Sequence, residues 1–408
     1  MQTQLADFIR DTPEGREADA ILRKCVHCGF CNATCPTYQL LGDELDGPRG
    51  RIYLIKQVLE GVAPTAKTRL HLDRCLTCRS CESTCPSGVQ YGQLVDIGRG
   101  IVEQKTGRGV WDGFARSVLA RVLPRTGLFA FLLGLGRATK VFLPEILKSK
   151  IPASGEPAGA WPAPRHQRRM LVLAGCVQPA LAPEINAAAA RVLDRRGISL
   201  IEAPGAGCCG AVRFHLNDQE GGRDDMRALI DAWWPMVERG EIEAIVMTAS
   251  GCGSTVKEFG HFLQHDPEYR EKAERISAMT RDLCEVVPEI EMEKKNNLGR
   301  VAFQSPCSLQ HGQQIRGTVE ALLQAAGYEL TPVADGHLCC GSAGTYSILQ
   351  PELSVKLRER KLAALSAGGA GTIATANIGC LSHLQSDTRA PPSGTRVRIV
   401  HWIQLLDG

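Results

Sequence analysis

Apolar residues recur at steps of three and four in RIYLIKQVLEG (51–61) and VWDGFARSVLARVL (110–123), a spacing that predicts helices and a mainly α N-terminal region. From residue 170 the pattern changes. Short runs rich in Val, Ile and Leu, namely MLVLAG (170–175), AIVMTAS (244–250), RVAFQS (300–305) and GTIATA (371–376), alternate with longer helical stretches such as PEINAAAARVLDRRG (183–197) and TVEALLQAAGYEL (318–330). Strands alternating with helices predict parallel sheets with helical crossovers. Between the two regimes, IPASGEPAGAWPAPR (151–165) has no apolar period and is rich in Pro, Gly and Ala, so it is expected to be a linker.

Two internal repeats sharpen this picture. CVHCGFCNATCP, from Cys25 to Pro36, recurs as CLTCRSCESTCP, from Cys75 to Pro86, at an offset of 50 residues. Further on, the set Cys176, the pair Cys208–Cys209 and Cys252 recurs as Cys307, the pair Cys339–Cys340 and Cys380. The single cysteine precedes the pair by 32 residues in both copies, and the last cysteine follows it by 43 and 40, which reads as a duplicated domain. The fold class expected is therefore α+β and multidomain. A mainly α domain carrying the close-spaced cysteines (1–105) leads, through a helical segment and linker (106–165), to two copies of an α/β cysteine-rich domain (166–298 and 299–408).

The composition changes this picture only in its cysteines. The 408 residues are 44% hydrophobic and 22% charged with a net charge of +3, as for an ordinary globular protein, and nothing points to nucleic acid. Seventeen cysteines in so long a chain point to metal ligands rather than a disulfide framework. The opening MQTQLADFIRDTPEG lacks an apolar targeting core, so a cytoplasmic location is expected. The longest apolar stretch, Leu128 to Leu135, is less than half of the roughly 20 residues a spanning helix needs. The stretch Val110–Lys150 nevertheless mixes apolar residues with Arg116, Arg121, Arg125, Arg137, Lys140, Lys148 and Lys150. That composition suits peripheral docking on an anionic leaflet, the bland alternative being a core helix pair with solvated basic faces.

C-x2-C-x2-C-x3-C-P is a thiolate run suited to iron–sulfur cubes, because its two-residue gaps let one loop present three sulfurs to one cluster. Paired zinc sites and disulfides are the alternative readings, but zinc motifs seldom present four cysteines in so short a run followed by Pro. His27 reads as a residue that tunes the site rather than a ligand, and Tyr38 and Arg49 as screening or ordinary surface residues. In the later copies, four thiols each (Cys176, Cys208, Cys209, Cys252; Cys307, Cys339, Cys340, Cys380) suffice for one further cluster. Gly210 and Gly341 after the pairs are expected to spare room for it and to permit positive φ. His311, His337 and His383 are minor candidate ligands, and Cys284, outside every repeat, reads as a small buried hydrophobe. No G-x-G-x-x-G, P-loop or catalytic triad is found, so no catalytic residue is expected.

The paired runs resemble those of bacterial two-cluster ferredoxins. That resemblance implies a crossed ligand set for two 4Fe–4S clusters: Cys25, Cys28, Cys31 and Cys85 for one, and Cys75, Cys78, Cys81 and Cys35 for the other. The whole order, two such runs followed by two CCG domains, resembles the iron–sulfur subunits of bacterial glycolate oxidase (glycolate dehydrogenase). Subunits of lactate-utilisation, anaerobic glycerol-3-phosphate dehydrogenase and heterodisulfide reductase systems share the layout. The resemblance implies an electron-transfer subunit working with an FAD-containing dehydrogenase subunit and passing electrons to quinone or another respiratory acceptor at the cytoplasmic face of the inner membrane. Where the fullest CCG motif ends in C-x-x-C, this chain has Thr255 and His383, which argues against disulfide-reducing chemistry.

Overall fold

The computed structural model describes residues 1–140, 155–287, 298–386 and 397–408. Lys148, Lys150 and the linker positions Ile151–Ser154 lie outside the described residues. The chain forms two compact units, Met1–Ser117 with His337–Lys361, and Val118–Gly336 with Leu362–Gly408. These units do not coincide with the sequence boundaries at 105, 165 and 298. Apolar patterning marks each sheet-and-helix copy, whereas compactness follows burial, and the two copies share a hydrophobic core.

In the first unit, helices Pro13–Lys24, Pro48–Leu59, Ala66–Asp73 and Tyr91–Lys105 enclose a core that includes Leu22, Ile55, Leu59, Leu72 and Leu94. The predicted 51–61 helix begins three residues earlier, at Pro48, whose missing N–H and fixed φ suit the first turn. Helix Pro48–Leu59 meets helix Tyr91–Lys105 at Gly98, where an added Cβ would stand 2.6 Å from Ile55 Cγ1. The segment His337–Lys361 joins this unit through Tyr346, whose hydroxyl donates to the Arg74 carbonyl at 3.2 Å, and Arg360, which donates to Gln39 at 2.7 Å.

The second unit holds two four-stranded parallel sheets. In the first, β1 (Arg168–Val172), β2 (Ile198–Ile201), β3 (Ala244–Met247) and β4 (Thr280–Asp282) lie in the order β2-β1-β3-β4. The second repeats it with β5 (Arg300–Gln304), β6 (Glu329–Leu330), β7 (Thr372–Thr375) and β8 (Arg398–His401), ordered β6-β5-β7-β8. The four apolar runs of the sequence are β1, β3, β5 and β7. The edge strands β2, β4, β6 and β8 are short or polar and carry little periodic signal. Val172 and Val246 of one sheet share a hydrophobic core with Val301 and Ala374 of the other. The C-terminal ends are joined as well: Ser250 N–H donates to Ala376 O at 3.1 Å, and Gly251 N–H to Asn377 Oδ1 at 3.1 Å. Of the linker, Trp161 anchors the described part by donating to Leu200 O at 3.1 Å.

Helices Val110–Val122 and Thr126–Ala138 follow the cysteine-rich part. Among the described residues no single helix is long and apolar enough to cross a membrane; these two pass that test only as a pair bent by 112°. The alternative of a core helix pair does not hold for Thr126–Ala138, which buries none of its residues. Arg116 departs from the basic face expected of this stretch, because it is buried and paired with Asp73 and Asp112.

Candidate metal centres

Each close-spaced cysteine run folds into a loop that turns on left-handed backbone at equivalent places. His27 and Gly29 take φ of 58° and 87° in the first, Thr77 and Arg79 51° and 59° in the second. For non-glycine residues this conformation costs about 1–2 kcal/mol each, a strain tolerated where loop geometry is fixed by function. One consequence is visible at Cys75, whose Sγ accepts the Thr77 N–H at 3.3 Å. The fourth cysteine of the first run, Cys35, then directly precedes a helix that starts at Pro36.

None of the seventeen cysteines is in a disulfide, which removes the disulfide alternative. Two recesses lie between the loops. Cys25, Cys28, Cys31 and Cys85 line the first, and Cys35, Cys75, Cys78 and Cys81 line the second, with Cys81 also bordering the first. Four sulfurs about one recess are a donor set suited to a 4Fe–4S cluster, and each recess draws its fourth sulfur from the other run.

The two recesses differ electrostatically. At the first, burial and then the neighbouring Cys25 push the Cys31 thiol up to about 11. His27 is exposed, its Nε2 3.3 Å from Arg49 O, and Arg49 is paired with Glu44 at 2.6 Å. Tyr38 is half-buried nearby in sequence. At the second, burial pushes the Cys75 thiol up, yet the Arg51 and Arg99 guanidiniums, the Thr77 N–H and the Tyr91 hydroxyl carry it below the ordinary thiol value. Tyr91 donates to Cys75 Sγ at 3.6 Å, and the Thr37 hydroxyl lies 3.3 Å from Cys35 Sγ. Arg51, 1% exposed, reaches to 4.0 Å from Cys35 Sγ and is held by Asp46, which also takes Arg74 and His71. Asp43, Asp46 and His71 bring donor atoms together, but Arg51 and Arg74 answer the Asp46 charge, so the group is an ion-pair network.

In the first sheet, Cys176, the Cys208–Cys209 pair and Cys252 follow the C-terminal ends of β1, β2 and β3, around the point between β1 and β3 where the winding direction reverses. The thiols form a chain of contacts, Cys176 to Cys208, Cys208 to Cys209, and Cys209 to Cys252. The hydrogen bond that Cys176 donates to Cys208, then burial, pushes the Cys176 thiol well up. A buried network braces these strand ends: Gln178 donates to Asn186 and Thr248 at 2.7 and 2.8 Å, and Asn186 donates to Leu173 O at 3.2 Å.

In the second sheet, Cys307 and Cys380 follow β5 and β7, and Asn377 donates to Cys380 Sγ at 3.6 Å. Cys339 and Cys340, both buried, are carried on the segment that packs in the first unit. Gly210 and Gly341 do take positive φ, 83° and 91°, but what a Cβ would strike is a helix further on rather than space for a cluster: the Gly222 carbonyl oxygen in helix Gln219–Glu238 in one case, Ser354 O at 2.7 Å in helix Pro351–Ser366 in the other. Thr255 bonds back to Gly251 O at 3.2 Å, and His311 and His383 are buried. His337 is half-buried. Cys284 lies in the shared core beside Leu283 and Val287.

Comparison with known proteins supports iron–sulfur clusters as the cofactors. A 4Fe–4S dicluster domain matches residues 21–89, and the cysteine-rich CCG domain matches 170–257 and 301–385. The chain is 54% identical, over its whole length and 98% of the relative, to the glycolate oxidase iron-sulfur subunit of Escherichia coli. It belongs to the glycolate oxidase iron–sulfur subunit family. A probable member from Bacillus subtilis is 29% identical over 94% of this chain and 93% of its own. Lactate utilization protein A of Geobacillus kaustophilus is 24% identical over 55% of this chain and 92% of its own. Among solved structures, a hypothetical protein from Helicobacter pylori superposes with a TM-score of 0.52 at 11% identity, covering 96% of this chain and 71% of that one, a likeness of fold. As in its family, the chain is an iron–sulfur electron-transfer subunit of an oxidoreductase complex.

Arg51, Arg99, Tyr91, Thr37 and Thr77 were not legible as site residues in the sequence. Only Arg99 carried a signal there, because the 50-residue repeat extends past the cysteines to pair Arg49-Gly50 with Arg99-Gly100.

Proposed function

We propose that this chain carries electrons for a glycolate dehydrogenase, taking them from an FAD-containing partner subunit that oxidises glycolate to glyoxylate and delivering them to quinone or another respiratory acceptor. The observation that carries this reading is the full-length match to a glycolate oxidase subunit together with two recesses that each present four thiols. Cys25, Cys28, Cys31 and Cys85 hold one 4Fe–4S cluster, and Cys75, Cys78, Cys81 and Cys35 the other. The set at Cys176, Cys208, Cys209 and Cys252 is a candidate for a further one. Bound there, clusters supply the one-electron steps that connect a two-electron flavin reaction to its acceptor. The protein's part is to fix the thiols, to limit solvent, and to place cations and N–H donors by the sulfurs.

A cytoplasmic location with peripheral contact on the inner membrane completes the reading. Its support is helix Thr126–Ala138, whose Phe131 and Leu135 are 67% and 51% exposed, and the strongly exposed Trp111 and Phe114 of the preceding helix. Arg121 and Arg125 between them suit anionic headgroups.

The test is a complex purified anaerobically through this chain. The reading expects about eight or more irons per chain, a co-purifying flavoprotein, and bleaching of the visible absorbance on adding glycolate. Bleaching by lactate alone would move the complex to the lactate systems, for which the 24% relative is the precedent. An iron-free, zinc-loaded chain would overturn the reading.

A further inference from the structure

Arg49 and Arg99 stand at equivalent places in the repeat, each followed by glycine and each 14 residues beyond the fourth cysteine of its run (35 to 49, 85 to 99). Their surroundings are opposite. Arg49 is about one-third exposed, and Glu44 answers its charge at 2.6 Å. Arg99 is 7% exposed, and its guanidinium meets only neutral oxygens: Leu72 O at 3.2 and 2.8 Å, Cys75 O at 2.6 Å and Thr77 Oγ1 at 2.9 Å. Among the described residues no carboxylate pairs with it. A cation withdrawn from water without a counter-charge is costly, and buried charges are normally paired.

Two of its three partners, Cys75 and Thr77, belong to the loop that lines the second recess. A cluster bound by four thiolates is a net anion that becomes more negative on reduction. The other buried cation there, Arg51, has a carboxylate, Asp46 at 3.5 Å, which it shares with Arg74, whereas Arg99 has none. We propose that Arg99 is the counter-cation of the cluster held by Cys35, Cys75, Cys78 and Cys81, and that it raises the reduction potential of that cluster in a way Arg49, neutralised by Glu44, does not at the other. This rests on the reading that both recesses carry clusters. Charge and hydrogen bonding near the sulfurs set such potentials, and a buried cation favours the more negative, reduced state. Arg99 thus acts as a positioning and tuning residue, without contact with a substrate.

The experiment is a redox titration of the full chain followed by EPR, with iron and sulfide counts, on wild type, Arg99→Gln, Arg99→Lys and Arg49→Gln. Arg99→Gln is expected to move one couple to lower potential by about tenfold in its reduction equilibrium, about 59 mV for one electron, and to leave the other in place. Arg99→Lys should recover most of that shift, and Arg49→Gln should move neither couple by more than about twofold. Loss of iron from one site in Arg99→Gln but not in Arg99→Lys would also support the proposal, since charge would then be what the loaded site requires. Wild-type potentials in Arg99→Gln would overturn it. So would iron loss in both Arg99 variants, which would make the residue a brace for the 72–77 backbone. A wild-type chain without iron would instead sink the underlying cluster reading.

Discussion

Gly210 sits at a φ of 83°, and a Cβ there would fall against the Gly222 carbonyl, with Met226 just beyond. Replacing it with alanine incurs both the left-handed backbone cost and an overpacked helix contact. Gly210→Ala should therefore lower stability by about 2–4 kcal/mol, read as a lower denaturant midpoint, whereas Gly205→Ala, at a φ of 80° with open space around it, should lose only the backbone part. Equal losses would mean that helix packing is not what demands glycine at 210. At this scale the sequence was legible where chemistry depends on spacing: the eight close-set cysteines were found because four thiols in eleven residues, twice, have few other uses. It was illegible where the role depends on how the chain folds around a residue. Glu44 is only five residues from Arg49, but that it turns back to pair with that arginine, and that Arg99 meets only carbonyls and a hydroxyl, is set by the fold.

Helix Thr126–Ala138 is apolar along most of its length and buries no residue, so its stability owes little to an apolar face packed on this chain. Fully burying one large apolar side chain is worth about 1.5–3 kcal/mol, so a leaflet that took up Phe131 and Leu135 would gain far more than a tenfold affinity from the two. Phe131→Glu with Leu135→Glu should thus lower binding to anionic vesicles by at least about tenfold in a flotation assay while leaving the iron content unchanged. Unaltered vesicle binding would rule this helix out as the membrane contact. The helix itself was legible as an apolar run, but its exposure was not, because the same composition serves a core helix. The edge strands were harder still: β6 has two residues and β4 three, too short for a period of two to register.

Across the whole molecule, His401 couples the two sheets. It ends β8, its Nε2 donates to the Thr248 carbonyl beyond β3 at 2.9 Å, and its Nδ1 accepts the Ile403 N–H at 3.3 Å. The ring is held neutral, and burial pulls its pKa from 6.5 to about 4. Because the unfolded chain protonates at the higher value, this group's contribution to stability is complete above about pH 6.5 and is lost as the pH falls towards 4. The loss amounts to about 3 kcal/mol, since a tenfold change in proton affinity is worth about 1.36 kcal/mol. Between pH 7.5 and 5, the wild-type chain should lose more of its denaturant midpoint than His401→Gln does; parallel losses would place the acid sensitivity elsewhere. What the sequence determined by itself was local and periodic: the helices, the central strands, the duplication, and the thiol runs whose ligand chemistry is set by covalent spacing. Only the tertiary structure decided that the two cysteine-rich copies share a hydrophobic core and that the segment 337–361 packs in the first unit. It also decided which arginines are neutralised: the carboxylates that pair with Arg49 and Arg51 lie five residues away, yet whether they turn back to pair, and whether an arginine such as Arg99 is buried against backbone 24 to 27 residues away, is set by the folded path and not by a local pattern.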